Sequence, residues 1–527
     1  MRRPWTLDRR SFTVGLGALG GAIVLGCGSG DDGAQPSGPA AGGDGRLPRL
    51  ASVKLTTERT IVPSRAVASP ADARSPMDPT ARASLVASGF GAYAYGPGEP
   101  LVGRMPDGSS APAPGPNPRL LVRFAHLTDV HLTDDESPIR FERFDSPPPL
   151  DAVARPHAPY VGRMLNAAVR TLNAVHESSP LAFVLVGGDV VESAQQNELA
   201  WFLGTITGGA APVACDSGDV SDLTAGPGND AKDAYVPEGL AVPWLFTTGN
   251  HDALVMGLTQ ISAANQALAE GDQSRDGFTD WTQPGGVVRT GATTADPRRK
   301  PLAREDFAAA IAADGDGHGL AHAAVAGRSC YTSDVAGTPL RLVVHDTTAE
   351  GGGSEGVVRK SVVAAFLKPA LDAALADGKW VVLVAHHPIG ALTDGAGSDA
   401  ETQADALAPA DFVALLGAYP NIVLGVTGHT HENLAGWVTT GAGAGFWEFQ
   451  TSSLVDFPNQ MRLVEISDAD NGHLAISLVG VDFATDDDPL AETARSLAVL
   501  DYTSGWGGGS PGALEDRNVI LYAKLPA

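Results

Sequence analysis

Apolar runs of strand length recur along the chain, and each run stops at a polar turn that carries His, Asp or Asn. The runs at 183–186, 242–248, 380–385 and 422–426 are rich in β-branched residues, which predicts buried strands. Residues 161–176 have apolar positions at helical spacing, so helices alternate with the strands. This alternation indicates an α/β fold, in which chemistry lies at the carboxyl ends of the strands.

Two of these turns carry acidic groups. Residues 119–131 begin the main domain with a strand, and side chains alternate along an extended strand. Asp129 and His131 are therefore expected on one side of the strand, where they can ligate one metal ion. His126 is expected to point the other way and to pack in the protein interior. Asp189 follows the run at 183–186 behind two glycines, which let the backbone turn tightly.

Three later turns add further donors. Gly249-Asn250-His251-Asp252 follows a strand, and it offers a neutral amide oxygen to a metal and an imidazole that can donate a proton. His386 and His387 follow the next run, and one of the pair is expected to face the site. His429-Thr430-His431 places two imidazoles on one side of an extended turn, where they can bind a metal ion.

The chain is strongly acidic. Its 61 Asp and Glu residues outnumber 36 Lys and Arg residues, and the formal net charge is −25. This balance argues against nucleic acid as a partner. Charges on the surface are screened within about 8 Å, so a small phosphorylated substrate could still enter a locally positive site.

The amino-terminal residues are predicted to form a targeting signal. Paired arginines at Arg9 and Arg10 precede an apolar run at 13–26 that is too short for a comfortable membrane span. This pattern resembles a twin-arginine signal peptide, and residues 24–27 are similar to a bacterial lipoprotein cleavage box that ends at Cys27. The alternative is a signal anchor that is never cut. Either way, we expect the protein to be exported.

Two cysteines remain if Cys27 carries a lipid. Cys215 and Cys330 could form a disulfide in an oxidising compartment, or they could stay as unpaired thiols. The sequence leaves both alternatives open. Neither arrangement supplies a cysteine-based metal site.

Taken in order, the polar turns resemble the calcineurin-like metallophosphoesterase superfamily, and its exported, lipid-anchored bacterial members in particular. The resemblance covers about residues 119–483, and it rests on five motifs: Asp129-x-His131, Gly188-Asp189, Gly249-Asn250-His251-Asp252, His386-His387-Pro388 and Gly428-His429-x-His431. It implies a four-layer α/β sandwich, with two packed mixed β-sheets flanked by helices. It also implies a dinuclear metal site at the strand ends.

The resemblance assigns a role to each motif residue. One metal ion would be held by Asp129, His131, Asp189 and His431, and the other by Asp189, Asn250, His386 and His429. The family pattern places the ligand first in His386-His387-Pro388. His251 would donate a proton to the leaving group, and Asp252 would orient His251. Oxygen and imidazole ligands suit Mn, Fe or Zn.

The activity implied is hydrolysis of phosphomonoesters or phosphodiesters by a metal-bridged hydroxide outside the cytoplasm. The alternatives are a pyrophosphatase for nucleotide-sugar-like or lipid-linked diphosphates, and a non-catalytic metal-binding lipoprotein. Purple acid phosphatases carry a tyrosine ligand where this chain has Glu192, so a coloured ferric centre of that type is not expected. Glu192 is expected to orient a ligand or to cap a helix.

The domain organisation follows from these segments. A signal peptide at 1–27 and a flexible tether at 28–52 lead to an N-terminal extension at 53–118, the main domain at 119–485 with insertions at 205–240 and 253–339, and a C-terminal extension at 486–527 that adds an edge strand. The second insertion holds the basic run Asp296-Pro297-Arg298-Arg299-Lys300, which is a phosphate clamp or a solvated face. We expect a cell-envelope lipoprotein on the periplasmic or cell-surface side. The oligomeric state and the substrate stay open.

Overall fold

A computed structural model describes residues 46–147, 153–218, 223–283, 285–349, 351–396, 398–441 and 443–526. These residues all belong to one compact unit, Gly38–Ala527. The predicted signal peptide, Cys27 and most of the predicted tether lie outside the described residues, so these assignments stay predictions. No helix among the described residues combines the length and the apolar character that a membrane crossing needs.

The strands are β1 (Arg59–Pro63), β2 (Tyr93–Pro97), β3 (Val102–Arg104), β4 (Arg119–Leu127), β5 (Val184–Val186), β6 (Trp244–Phe246), β7 (Gln273–Asp280), β8 (Val287–Ala292), β9 (Tyr331–Asp334), β10 (Leu340–Val344), β11 (Gly356–Arg359), β12 (Trp380–Val384), β13 (Leu392–Thr393), β14 (Ala406–Leu407), β15 (Ile422–Thr427), β16 (Leu434–Gly441), β17 (Ala444–Gln450), β18 (Gln460–Asp468), β19 (His473–Asp482) and β20 (Val519–Lys524). The helices are α1 (Pro79–Ala87), α2 (Val161–Ser178), α3 (Gln196–Thr207), α4 (Ala263–Glu270), α5 (Arg304–Ala312), α6 (Lys360–Val362), α7 (Lys368–Ala376), α8 (Ala400–Asp405), α9 (Pro409–Leu416), α10 (Pro489–Thr503) and α11 (Leu514–Arg517). A π-helical turn, Val363–Leu367, joins α6 to α7.

Two large mixed sheets carry the fold. The first has the strand order β3-β20-β19-β18-β4-β5-β6, and the second has the order β16-β17-β15-β12-β10-β9. In the first sheet β4, β5 and β6 are mutually parallel, and in the second β10, β12, β15 and β17 are parallel. The carboxyl ends of these parallel strands therefore lie along one edge of each sheet.

The side chains of β12 show how the layers are built. Val382 and Val384 belong to the main apolar cluster, which also contains residues of β4, β5 and α2. Val381 and Leu383 alternate with them and belong to a second cluster with residues of α7 and α9. One face of β12 is therefore buried against the other sheet and the other against helices. The predicted four-layer α/β sandwich is confirmed.

Several predicted elements differ from those observed. The C-terminal strand β20 is present, but it pairs with β19 on one side and with β3 on the other. It is therefore an interior strand, and β3 from the N-terminal extension forms the edge. Before helix α6 the chain is extended as β11, because Val357 pairs with β13 and Val358 pairs with β14.

The two predicted insertions are partly built into the core. β9 comes from the second of them and pairs with β10 as the edge of the second sheet. In the first, Lys232 is buried, and its Nζ lies 2.8 Å from both Asp135 and Glu136. A buried ion pair of this kind ties the segment to the loop that follows β4.

Cys215 and Cys330 are both free thiols. Cys215 lies in the main apolar cluster and Cys330 in the second one. Burial raises the pKa of each thiol to about 12, so both stay protonated at neutral pH. Of the two alternatives left open by the sequence, the structure has unpaired thiols.

Candidate metal centre

Five loops meet at the carboxyl ends of the parallel strands. They follow β4, β5, β6, β12 and β15, and they bring the predicted ligands together: Asp129, His131, Asp189, Asn250, His386, His429 and His431. The first three loops come from one sheet and the last two from the other. The site therefore spans the edge where the two sheets pack.

Two carboxylates form the centre of this group. Nε2 of His386 lies 3.1 Å from Asp189 Oδ2 and 3.9 Å from Asp129 Oδ1. Nε2 of His431 lies 3.3 Å from Asp129 Oδ1, and Nε2 of His131 lies 3.7 Å from Asp189 Oδ2. Asp189 thus lies between His131 and His386, which is where a ligand shared by two ions would have to be.

Further donors complete the group. The candidate metal-holding sets each have their donor atoms within 4.8 Å of one another: Asp129, His131 and His431; Asp129, Asp189 and His386; His386, His387 and His429; His131, Glu192 and His251. His387 differs from the other histidines, because its Nδ1 lies 2.8 Å from Thr347 Oγ1 and its Nε2 lies 3.1 Å from the carbonyl of Ser354. Both of its nitrogens are thus engaged, whereas His386 faces the two carboxylates.

The backbone of the site is strained. Positive φ angles, which non-glycine residues rarely adopt, occur at Asp129 (52°), His131 (49°), Asp189 (51°), His429 (73°) and His431 (54°). Each such residue costs of the order of 1–3 kcal/mol, which the surrounding structure must offset. The expected alternation of Asp129 and His131 along an extended strand is therefore wrong, because β4 ends at Leu127 and both residues lie in left-handed turns.

Asp252 holds these turns together. Its carboxylate accepts hydrogen bonds from the backbone N–H groups of Gly249 (2.8 Å), Asp189 (2.9 Å) and Val190 (2.8 Å). It therefore joins the loop after β6 to the loop after β5. Contrary to expectation, Asp252 does not orient the His251 imidazole. Nδ1 of His251 instead lies 2.8 Å from the carbonyl oxygen of Glu192.

Four imidazoles share one arrangement. Nδ1 faces an acceptor within 2.8 Å in each of them: Glu192 Oε2 for His131, the Glu192 carbonyl for His251, the Gly187 carbonyl for His386, and Asp456 Oδ2 for His431. An acceptor at Nδ1 holds the proton there and leaves the lone pair of Nε2 for a metal ion. The Nε2 atoms of His131, His386 and His431 point at the two aspartates.

A buried arginine connects two of these acceptors. Arg155 Nε lies 2.6 Å from Asp456 Oδ1, and Arg155 Nη2 lies 3.2 Å from Asp456 Oδ2. Nη1 of the same guanidinium lies 3.8 Å from Glu192 Oε2. One Glu-Arg-Asp network therefore supports both His131 and His431. Sequence reasoning missed Arg155 and Asp456, because Asp456 stands farther from the end of its strand, Gln450, than the recognised ligands stand from theirs.

The electrostatics favour bound cations. Burial would raise the pKa of Asp189, but the imidazoles of His386 and His251 hold that pKa well below its usual range. Burial likewise opposes charge on His386 and His431, yet the adjacent aspartates raise the pKa of His386 to about 9 and that of His431 to about 10. The two carboxylates thus draw positive charge into a buried site.

The residues present fit a pair of transition-metal ions. Oδ1 of Asn250 and Nε2 of His386 are buried and make no well-directed hydrogen bond. Buried polar atoms of this kind are rare unless something else satisfies them. Carboxylate oxygens, an amide oxygen and imidazole nitrogens are together the donor set that Mn, Fe and Zn accept.

Two further histidines and the basic run make other contacts. His126 is buried, with Nδ1 2.8 Å from Thr451 Oγ1. His318 stacks on Trp244 with ring centroids 3.4 Å apart. In the basic run, Arg299 is buried and bonded to Asp134, and Arg298 pairs with Asp296. Arg298 and Lys300 are exposed, as the solvated-face alternative predicts, whereas Arg299 is buried. The phosphate-clamp alternative stays a prediction.

Comparisons with known proteins agree with this geometry. The family profile described as calcineurin-like phosphoesterase matches residues 122–433, which is more than half of the chain. A search of curated proteins with the sequence returned no significant match.

Solved structures similar to the chain include a dimetal phosphatase from Danio rerio, at 10% identity and a TM-score of 0.37, with 69% of this chain and 100% of that chain covered. The purple acid phosphatase PPD1 of yellow lupin (Lupinus luteus) seeds is similar at 9% identity and a TM-score of 0.29, with 73% and 54% covered. The GAP50 anchor of the Plasmodium inner membrane complex is similar at 10% identity and a TM-score of 0.29, with 72% and 95% covered.

The family match covers the strands and loops that carry the predicted ligands, from β4 to His431. The donor groups at those strand ends are the ones that a pair of transition-metal ions requires. The chain belongs to the calcineurin-like phosphoesterase family and is a metal-dependent hydrolase of phosphoesters with two transition-metal ions as its cofactor.

Proposed function

We propose that the chain hydrolyses phosphomonoesters or phosphodiesters outside the cytoplasm. In this proposal the metal ligands are those predicted above, and His251 is the proton donor. The observation that carries this proposal is the meeting of Asp129, His131, Asp189, Asn250, His386, His429 and His431 at one edge of the two sheets. The site opens into a cleft of about 290 Å³, which is enough for a small phosphorylated molecule.

The chain's own residues position the reacting groups. The two metal ions, when bound, polarise the phosphoryl oxygens and make water a better nucleophile at neutral pH. His251 lines the cleft, and its Nδ1 is engaged by the Glu192 carbonyl. Nδ1 keeps its own proton for that carbonyl, so Nε2 can hand a proton to the departing oxygen from the imidazolium form of the ring. The His251 backbone N–H donates to Asp189 Oδ1 at 2.8 Å, which ties this imidazole to the metal centre.

Replacing His251 with alanine tests the proton-donor role. We expect His251→Ala to slow hydrolysis of an alkyl phosphate by about a hundredfold or more, because an alkoxide leaves poorly without a proton. Hydrolysis of 4-nitrophenyl phosphate should fall by less than about tenfold, since that leaving group needs little protonation. The measurement is kcat/KM for both esters.

A matched control is His322→Ala, which removes an exposed imidazole outside the cleft and should change neither rate. An equal loss on the two esters would show that His251 binds or positions the substrate without donating a proton. That result would remove the proposed role and leave the metal assignments standing.

We also propose that the protein is exported and anchored through a lipid on Cys27. The proposal is supported by the paired arginines, the short apolar run and the cysteine that closes it. We expect Cys27→Ser to move the protein from the membrane to the soluble fraction of cells. The variant has no cysteine at position 27 to carry the lipid, and the apolar run at 13–26 is too short to span the membrane by itself. The measurement is fractionation followed by detection of the full chain.

Ser29→Ala is the control for this experiment, since it changes the same segment and should leave the partition unaltered. Continued membrane association of Cys27→Ser would favour the uncut signal anchor. The lipidation proposal would then be withdrawn.

A further inference from the structure

Four apolar side chains line the cleft beside the metal centre, and we call them the apolar wall: Phe141, Val153, Met256 and Leu258. Val153 and Met256, with Phe141 packed against them, belong to a small apolar cluster that is separate from the main core. Leu258 is 42% exposed, although most leucines of the chain are buried. Apolar side chains that face a catalytic cleft point to an apolar ligand group.

This apolar wall lies next to the proposed proton donor. A Cβ atom on Gly257 would lie 2.2 Å from Cδ2 of His251, so the loop is pressed against the imidazole. The carbonyl of Gly257 accepts a hydrogen bond from Asn250 Nδ2 at 3.1 Å, which holds the loop at the metal centre. Met256 has a φ of 49°, and it precedes Gly257 directly. Met256 and Leu258 therefore flank the point at which a leaving group would depart.

Arg155 is the one Lys or Arg in the described lining of the cleft. Its guanidinium is engaged by Asp456 and lies near Glu192. Arg140 lies behind the apolar wall, where it bonds to Glu142 and to the carbonyl of Val153. Residues 148–152, which precede Val153, contain no Lys or Arg. Among the described residues that line the cleft, a second or third phosphate group would thus meet no Lys or Arg except Arg155, which is already engaged.

Backbone of a glycine loop also lines the cleft. Gly508 and Gly509 line it, and they belong to the C-terminal extension. Trp506 Nε1 donates to Asp145 Oδ2 at 2.6 Å, and the N–H of Ser510 donates to the carbonyl of His431 at 3.0 Å. The glycine loop is thereby attached to both the segment after Phe141 and the metal centre. An apolar group in the cleft would therefore meet this loop as well as the apolar wall.

We propose that the apolar wall is the subsite for the leaving group, and that the substrates are phosphoesters of uncharged apolar alcohols or phenols. This inference rests on the proposed function and names its substrate class. Nucleotides, sugar phosphates and diphosphates would leave polar or charged groups against Phe141, Met256 and Leu258. Such groups would lose water without gaining partners.

Three aryl phosphates test the subsite: phenyl, 4-propylphenyl and 4-(carboxymethyl)phenyl phosphate. Their substituents leave the acidity of the departing phenol nearly unchanged, so differences in rate report contacts. We expect kcat/KM of the metal-loaded protein to be about tenfold higher for the propyl compound than for phenyl phosphate, given partial burial of three carbons. The carboxymethyl compound should be the slowest.

Variants of Leu258 supply the second arm. In Leu258→Gln, the ratio of the propyl to the phenyl rate should fall toward about threefold, because apolar contact area is lost. In Leu258→Lys, the carboxymethyl compound should gain relative to the propyl compound, because the new cation meets its carboxylate. The control is Leu375→Gln, a similarly exposed leucine of α7 outside the cleft, which should leave all ratios unchanged.

A binding measurement separates the two proposals. Phenylphosphonate and 4-propylphenylphosphonate are not hydrolysed, and calorimetry should show about tenfold tighter binding of the propyl compound to the metal-loaded protein. If the protein binds the propyl phosphonate more tightly but hydrolyses none of the three aryl phosphates, the proposed function is wrong and the subsite still stands. Equal binding of both phosphonates, or a carboxymethyl ester hydrolysed as fast as the propyl ester, would overturn the subsite.

Discussion

Asp189→Asn should abolish phosphoester hydrolysis, with a loss of on the order of a thousandfold or more, while the fold stays close to that of the parent chain. The amide removes a negative charge from the point between His131 and His386, where a shared ligand must neutralise two cations. The amide oxygen can still accept the His251 backbone N–H that Asp189 Oδ1 accepts now. We therefore expect loss of metal and turnover without unfolding.

The measurement combines elemental analysis of purified protein with turnover of an aryl phosphate. The parent chain, reconstituted with Mn, Fe or Zn, should hold about two ions, and Asp189→Asn clearly fewer. Asp372→Asn makes the same chemical change on the exposed surface of α7 and should alter neither value. Two ions and full turnover in Asp189→Asn would refute the bridging role.

Arg155→Met should destabilise the protein by about 3–5 kcal/mol, because the carboxylates of Asp456 and Glu192 would lose their buried cation. The same change should weaken metal binding by about 10–100-fold, since the two carboxylates orient His131 and His431. The measurements are denaturant unfolding of the metal-free protein and a metal titration followed by calorimetry.

Arg49→Met is the matched control for this variant. Arg49 forms a pair with Glu177 at 3.4 Å, and the two side chains are 76% and 58% exposed. Exposed ion pairs contribute about 0–1 kcal/mol to the free energy of unfolding, so the control variant should lose little stability. If both variants lost stability equally and bound metal normally, Arg155 would not support the metal centre.

The motif residues of the site could be predicted because each one stands directly after an apolar run. Parallel strands bring their carboxyl ends to one edge, so the pattern alone placed Asp129, Asp189 and His386 near one another. The reason offered for Asp129 and His131 failed, however. Alternation along a strand assumes extended backbone, and the left-handed turns at both residues depend on contacts with the loop after β5.

Residues that act through another residue were harder to find. Asp252 looked like a partner of His251 because it is its neighbour in sequence, whereas its carboxylate holds backbone groups of a loop about sixty positions earlier. Arg155 and Asp456 are separated by about three hundred positions, and no spacing rule relates them. Pairing of β5 with β6 brings Asp252 to its partners, and only the folded chain brings Arg155 within hydrogen-bond distance of Asp456.

The sequence by itself determined the fold class and the metal-binding chemistry, because both are written in local patterns: strand-length apolar runs, and donor residues at the ends of those runs. The tertiary structure decided which nitrogen of each imidazole faces the site, what holds His131 and His431 in place, and which side chains line the cleft. Those properties depend on contacts between residues that are far apart in the chain, and such contacts exist only after the sheets have packed.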